Sequence, residues 1–375
     1  MNNTALDQLS GLKLFPFCAD NKTYFFSGRN ALWHAMKILG LSSGSKVLIP
    51  SYNCGAEVDP ISQWGAKIRL YRVGPELRID LEDLNGKLDR NTKALLVTHY
   101  FGFPQEIGVI RKMCDENHVH LIEDCTHAML SRYENRPLGS FGDISVFSLK
   151  KFLPVPDGGM MVINNATLEQ PEGLVSPPFS YELKTIARLM LLKMTGINSR
   201  LLLRTHDFIT GHFQKARFNT DISPEVKSRL PSRFYGYSMD MDKVNWTISK
   251  LSMAHLRKFA SDGSMGYVIR KRQDNFRLLL GELGRSDTAA PFFDSLPEGV
   301  CPSYFPVLVK DRDRMHDLLS KEGIFCLKTW PVFYPNLPWS EFPEAVFLKK
   351  NIISLPVHHY LPEKDLLRAA RLLQN

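Results

Sequence analysis

Phe147-Ser-Leu-Lys-Lys-Phe-Leu-Pro-Val-Pro-Asp-Gly-Gly159 is the stretch from which the rest of the chain can be read. A serine precedes two adjacent lysines, and a Pro/Gly-rich turn follows them. Upstream, Val119-His-Leu-Ile-Glu-Asp124 has the pattern of a buried strand ending in acids. Downstream, Gly159-Met-Met-Val-Ile-Asn164 reads as another strand. A lysine held between buried strands, with an acid at the end of a neighbouring strand, suggests Schiff-base chemistry. Its amine attacks an aldehyde once desolvation or a nearby cation has removed its proton. Lys150 and Lys151 each supply such a cation to the other. Read alone, the pair also fits a solvated loop, the commoner setting for adjacent charges.

Working outward, Ser27-Gly28-Arg29 opens a helical pattern with Ala31, Leu32, Ala35, Met36 and Leu39 on one face and Gly40 as its stop. Short apolar strands are expected at 46–50, 67–71, 94–98, 119–124, 143–147 and 160–163. Helices are expected at 56–64, 80–88 and 107–117. Alternation of this kind predicts an α/β fold with a mostly parallel sheet covered on both faces. Ligands in such sheets sit beyond the carboxyl ends of the strands. Ser27, Tyr100, Asp124 and Ser148 all fall near element ends.

After Asn165 the pattern loosens. Residues 171–180 read as a loop, and a basic amphipathic insertion at about 180–210 reads as helices packed on the body. A long helix is expected at 240–259, then a C-terminal α/β domain with strands at 306–309 and 352–355 and helices at 315–322 and 363–373. The expected division is an N-terminal arm over 1–25, a large domain over 26–240 and a small domain over 241–375.

The 375 residues carry 47 basic and 39 acidic side chains, a net charge of +8. That favours anionic ligands but is too diffuse to argue for nucleic acid. The six cysteines, at 18, 54, 114, 125, 301 and 326, form no C-x-x-C pair, which argues against a zinc or redox motif. Their sparseness fits a reducing compartment, and the expected location is the cytoplasm. No signal peptide is evident at the N-terminus, and the most apolar window, 189–203, is too short and too interrupted by charge to span a bilayer.

Four features carry candidate chemistry. Ser27-Gly28-Arg29 at a helix start offers outward N–H groups and a favourable dipole to a phosphate. Asp124 at a strand end can pair with a pyridinium nitrogen, and His127 lies three residues on. Ser148 can reach the same phosphate through its hydroxyl. The glycines of Asp157-Gly158-Gly159 let a strand pass close to a bound ring.

Taken in order, Ser27-Gly28, Val47-Leu-Ile-Pro-Ser51, His99-Tyr-Phe-Gly102, Glu123-Asp124 with His127, Gly139-Ser-Phe-Gly-Asp143, Phe147-Ser148, Lys151 and Gly158-Gly159 resemble the DegT/DnrJ/EryC1/StrS family. These are pyridoxal-phosphate enzymes of fold type I, mostly sugar aminotransferases. The resemblance is clear over about 20–165 and looser after it, through Gly323-Ile324, Trp330 and Ser354-Leu-Pro356. It implies a seven-stranded, mostly parallel sheet in the large domain and a smaller C-terminal α/β domain. It also implies pyridoxal 5′-phosphate as cofactor and a homodimer.

Carried over by position, Asp124 would pair with the pyridine nitrogen and His127 would sit beside the cofactor. Gly28, Arg29 and Ser148 would hold the phosphate. Lys151 would form the Schiff base, since the family places its lysine eight residues before the second glycine of the closing pair and 159 minus 8 is 151. The implied reaction moves an amino group from an amino acid, glutamate being one candidate, to a nucleotide-linked keto-sugar in polysaccharide or secondary-metabolite synthesis. The alternatives are a relative with a non-sugar substrate or a non-catalytic binding homologue.

The chain departs from the family in four places. The glycine-rich link after the lysine is here Pro154-Val-Pro156. Lys151 stands three positions after Ser148, where the family usually has five. The aromatic that often stacks on the ring falls at Cys54, so either Tyr52 substitutes for it or nothing does. The family's Gly-Tyr-Asn-x-Arg segment, supplied across the dimer, is here Gly236-Tyr-Ser-Met-Asp240. Ser238 of the second subunit therefore stands where an asparagine is usual, and Asp240 where an arginine is usual.

Overall fold

The structure is a computed structural model describing residues 13–194, 239–261 and 264–374. Its first layer is a seven-stranded sheet built from β1 (Lys22–Phe25), β2 (Lys46–Pro50), β3 (Lys67–Tyr71), β4 (Thr92–Thr98), β5 (His120–Asp124), β6 (Ile144–Ser148) and β7 (Gly159–Ile163). The spatial order is β1-β7-β6-β5-β4-β2-β3. Pairings from β3 through β6 are parallel, while β7 runs antiparallel to both β6 and β1. The crossovers carry α1 (Gly28–Ile38), α2 (Val58–Trp64), α3 (Leu81–Lys87) and α4 (Ile107–Glu116). Every residue of β4 except Lys93 is buried, as a parallel strand covered on both faces requires.

Two expectations need correcting. The last residues of the expected arm, Lys22–Phe25, are an edge strand, with Phe25 opposite Gly159 and Lys22 opposite Val162. The helix expected over 240–259 begins only at Lys250. Asp240 caps a separate turn, Met241–Lys243, and Ser249 Oγ accepts the Ser252 N–H at 3.1 Å as the cap of α6 (Lys250–Ser261). Of the basic stretch, the start lies in α5 (Phe179–Met194) and the rest lies outside the described residues.

The C-terminal part has a four-stranded antiparallel sheet. It contains β8 (Ala289–Pro291), β9 (Tyr304–Val309), β10 (Leu327–Lys328) and β11 (Ile352–Pro356), in the order β8-β9-β11-β10. Around it lie α7 (Ser264–Glu282), α8 (Arg312–Lys321), α9 (Pro343–Asn351) and α10 (Glu363–Gln374). Leu366, Ala369, Ala370 and Leu373 form the buried stripe of α10, a spacing that puts them on one face toward α7.

Strand order fixes where a ligand enters. The chain leaves β2 outward to β3, then crosses back over β2 to β4 and continues the other way. The loops after β2 and β4 therefore diverge and leave a crevice at the carboxyl ends. Asp124 ends β5, the strand beside β4, in register with Thr98.

Candidate active site

Asp124 is buried at the end of β5, and its Oδ1 accepts the Thr126 N–H at 2.9 Å. Lys151 closes a 3-10 turn, Leu149–Lys151, that leaves the end of β6. Its Nζ donates to Thr126 Oγ1 at 3.1 Å, so the amine reaches the hydroxyl two residues past the end of β5. Burial lowers the Lys151 pKa, opposed by the charges of Cys54, Asp124 and Glu57. Lys150 faces different groups. Burial and the Arg29 guanidinium push it down to about 8, with Asp157 opposing and Lys151 adding to the depression. Different charges thus act on the two lysines, chiefly Cys54, Asp124 and Glu57 on Lys151 and chiefly Arg29 and Asp157 on Lys150.

The expected phosphate cradle is assembled by close approach. Ser27 caps α1, and the first-turn N–H groups of a helix have no intrahelical acceptor. A Cβ placed on Gly28 would lie 3.3 Å from the Phe147 carbonyl oxygen and 3.4 Å from Thr126 Cγ2. A Cβ on Gly159 would lie 2.1 Å from the Ser27 carbonyl carbon. Both glycines let the start of α1 abut the ends of β6 and β7. Ser148 lies opposite Gly159 in that ladder and is buried.

His127 is buried, with Nδ1 3.1 Å from Ser303 Oγ. Burial, and then Lys151, hold its pKa well below the usual histidine range, so the imidazole is neutral. Its ring meets Trp330 edge-on at 5.4 Å. Tyr52 lies in the same aromatic group, 4.8 Å from Trp330 and 5.5 Å from Tyr100, whose hydroxyl donates to the Tyr52 carbonyl at 2.7 Å. The Tyr52 hydroxyl is buried with no hydrogen-bond partner among the described residues. Ser238 lies outside the described residues. Asp240 is engaged locally, with Lys243 Nζ at 2.6 Å.

Sequence reasoning missed Thr126, Glu57 and Lys349. Glu57 accepts from the Cys54 N–H at 2.9 Å and the Cys54 thiol at 2.7 Å. Burial and then Asp124 raise its pKa, while burial and Glu57 raise that of the thiol. Cys54 is therefore bound to a carboxylate where the resemblance places a stacking ring. Only its three-residue spacing from Glu57 hinted at this.

Among the described residues one group has metal-ligand composition, His99, Glu123 and Cys125, with ligand atoms within 4.8 Å of one another. Its lone pairs are committed. His99 Nδ1 accepts the Gln105 N–H at 3.1 Å, so Nε2 carries the proton and donates to Glu123 at 3.2 Å. Glu123 also accepts from the N–H groups of Gly139, Phe141 and Gly142. It is the anchor of the 139–143 loop.

A half-buried lysine beside a strand-end carboxylate, with a helix N-terminus close by, suits a ligand that is an aldehyde at one end and a phosphate at the other. Comparison with known proteins agrees. The model of the DegT/DnrJ/EryC1/StrS aminotransferase family matches residues 22–374. GDP-perosamine synthase of Vibrio cholerae is 35% identical over 142 residues, which span 37% of this chain and 39% of that protein. A dTDP-3-amino-3,4,6-trideoxy-alpha-D-glucose transaminase of Streptomyces venezuelae is 29% identical over 356 residues, 91% of this chain and 79% of that one. The crystal structure of S. venezuelae DesV superposes with a TM-score of 0.67 at 19% identity, covering 95% of this chain and 84% of that one. This last likeness concerns the fold.

Proposed function

Because the chain belongs to the DegT/DnrJ/EryC1/StrS aminotransferase family, we propose that it transfers an amino group from an amino acid to a nucleotide-linked keto-sugar. The observation that carries this reading is the half-buried Lys151, whose amine is hydrogen-bonded to Thr126, with Asp124 two residues before that threonine. Pyridoxal 5′-phosphate, the cofactor of this family, supplies an aldehyde for an amine and a ring that accepts electrons from the substrate carbon.

The chain's own residues divide the remaining work. The start of α1, with Gly28, Arg29 and Ser148, binds the phosphate through N–H groups, dipole and hydroxyl. Asp124 keeps a proton on the ring nitrogen. His127, neutral and held by Ser303, orients the ring. Tyr52 packs beside Trp330, with its ring 4.8 Å away. Lys151 Nζ would hold the cofactor's aldehyde end and, when free, would move the substrate's proton. Its lowered pKa increases the fraction of amine free to do so near neutrality.

Relatives named for GDP-, UDP- and dTDP-sugar amino transfer support a nucleotide-linked acceptor. The net charge of +8 suits such an anion. No described helix is long and apolar enough to cross a membrane. The working form in this reading is a cytoplasmic homodimer in which the partner contributes Ser238 to the phosphate.

A spectral titration with a panel of amino donors and nucleotide keto-sugars tests the reading. The lysine-linked cofactor band should give way to the aminated form with a donor and return with a productive keto-sugar. A band that answers to no donor removes the transaminase assignment. Mass measurement on dilution tests the dimer, because a monomer that keeps full cofactor absorbance excludes a shared site.

A further inference from the structure

Arg272 projects from α7 in the C-terminal part of the chain and is 2% exposed. Its Nη1 donates to the carbonyls of Pro302 and Ser303, each at 3.1 Å. Its Nη2 donates to the carbonyl of Lys151 at 2.7 Å. The guanidinium carbon stands 4.7 Å from the centre of the Phe152 ring. Burying a guanidinium is costly, and burial lowers its pKa, so its retention calls for a specific use. These three bonds all end on main-chain carbonyls. The planar fork, which sends parallel donors to separate acceptors, is what the site uses.

One arm of the fork holds the backbone of the turn that presents Lys151. The other arm holds the Ser303 segment, and Ser303 Oγ lies 3.1 Å from His127 Nδ1. The lysine and the histidine therefore both connect to one buried side chain from the other domain. The turn needs such an anchor. It is a single 3-10 turn, shortened relative to the family, and a slip of one residue, about a third of a turn, would present Lys150 in place of Lys151.

We propose that Arg272 is a positioning residue that fixes the Lys151 backbone and, through Ser303, the His127 ring, so that the C-terminal domain selects which of two adjacent lysines faces Asp124. This rests on the cofactor reading above. If it holds, domain packing and cofactor attachment are coupled through one guanidinium.

The test uses the full chain loaded with pyridoxal phosphate, with Arg272→Met, Arg272→Lys and Ser303→Ala as variants. Each is reduced with borohydride and its pyridoxyl-bearing peptide mapped by mass. The pH midpoint of the cofactor band is titrated, and far-UV circular dichroism of the apoprotein reports folding. The parent should carry all of the label on Lys151. Folded Arg272→Met should move label to Lys150 or lose trapped label by about tenfold, since a misplaced reacting atom costs at least that much. Arg272→Lys should restore Lys151 labelling in part. Ser303→Ala should leave the label in place but shift the midpoint by about half a pH unit through His127. A folded Arg272→Met with parental labelling and midpoint overturns the proposal. Should that variant fail to fold, parental midpoints in both Arg272→Lys and Ser303→Ala overturn it. A parent without any cofactor band overturns the cofactor reading as well, a result distinct from a parent that labels and variants that match it.

Discussion

Lys151 Nζ donates to Thr126 Oγ1 at 3.1 Å, and the Thr126 N–H donates to Asp124 at 2.9 Å. A residue that no motif marked therefore joins the amine to the acid. The same relationship separates the two lysines, because Lys150 is shifted mainly by burial and Arg29 rather than by this group. Lys151→Ala should lose the covalent cofactor link and slow amino transfer by at least about a hundredfold. Lys150→Ala should keep the link. Absorbance of the two purified variants separates these outcomes, and a retained link in Lys151→Ala would reverse the assignment.

Asp124→Asn preserves the acceptor for the Thr126 N–H but removes the negative charge. It should fold and bind cofactor like the parent, yet its half-reaction with an amino donor should slow by about a hundredfold or more, the scale of a lost electrostatic contribution. Stopped-flow rates measure this directly. Equal rates in variant and parent would remove Asp124 from proton control at the ring.

Gly159 is where strand and helix meet most closely, with the Cβ position 2.1 Å from the Ser27 carbonyl carbon and 2.4 Å from the Gly28 nitrogen. Backbone atoms cannot swing aside as a flexible side chain does. Gly159→Ala should cost about 1–3 kcal/mol or more in apoprotein stability and weaken cofactor binding, as overpacking displaces the start of α1. Gly281→Ala in α7 meets nothing within 4 Å and should be neutral or slightly stabilising. Urea unfolding of the two variants makes the comparison.

The large sheet was legible because its parallel strands are continuous apolar runs, and because Ser27, Asp124 and Ser148 stand where those runs stop. What stayed hidden depends on partners far away in sequence. β1 is short and half-exposed, and only its register with β7 makes it a strand. Apolar spacing continues past Asp240 and lengthens the helix expected at 240–259, while the decisive cap, Ser249, is itself held by Asp157 from the lysine loop at 2.9 Å. Arg272 meets Lys151 across 121 residues of chain. Glu57 was passed over because carboxylates are common near helix starts and its thiol partner is a weak donor.

Lys349 shows the same long-range dependence and yields a pH prediction. It is fully buried, and its Nζ donates to the carbonyls of Asn53, Trp330 at 3.3 Å and Val332 at 2.9 Å, so it ties α9 to the loop that carries Tyr52 and Cys54. Trp339, Phe333 and Tyr52 surround the ammonium at 4.8, 5.6 and 5.9 Å from their ring centres. Burial pushes the Lys349 pKa down to about 8, with Glu57 and Cys54 opposing and Arg312 adding to the depression. Between that value and the ordinary 10.5, the unfolded chain holds a proton that the folded chain does not. Stability therefore rises with pH across this window, and the gain is lost as pH falls back through about 8. The gain approaches about 3 kcal/mol, from roughly 2.5 pH units at 1.36 kcal/mol each. Lys349→Met leaves three carbonyls without their donor, a pH-independent cost, but removes the titration. The parent-minus-variant stability, measured by urea unfolding of the apoproteins from pH 7.5 to 10, should climb with pH, while contributions from Lys150 and Lys151 cancel in the difference. A flat difference would mean that Lys349 keeps its ordinary affinity for the proton in the folded chain.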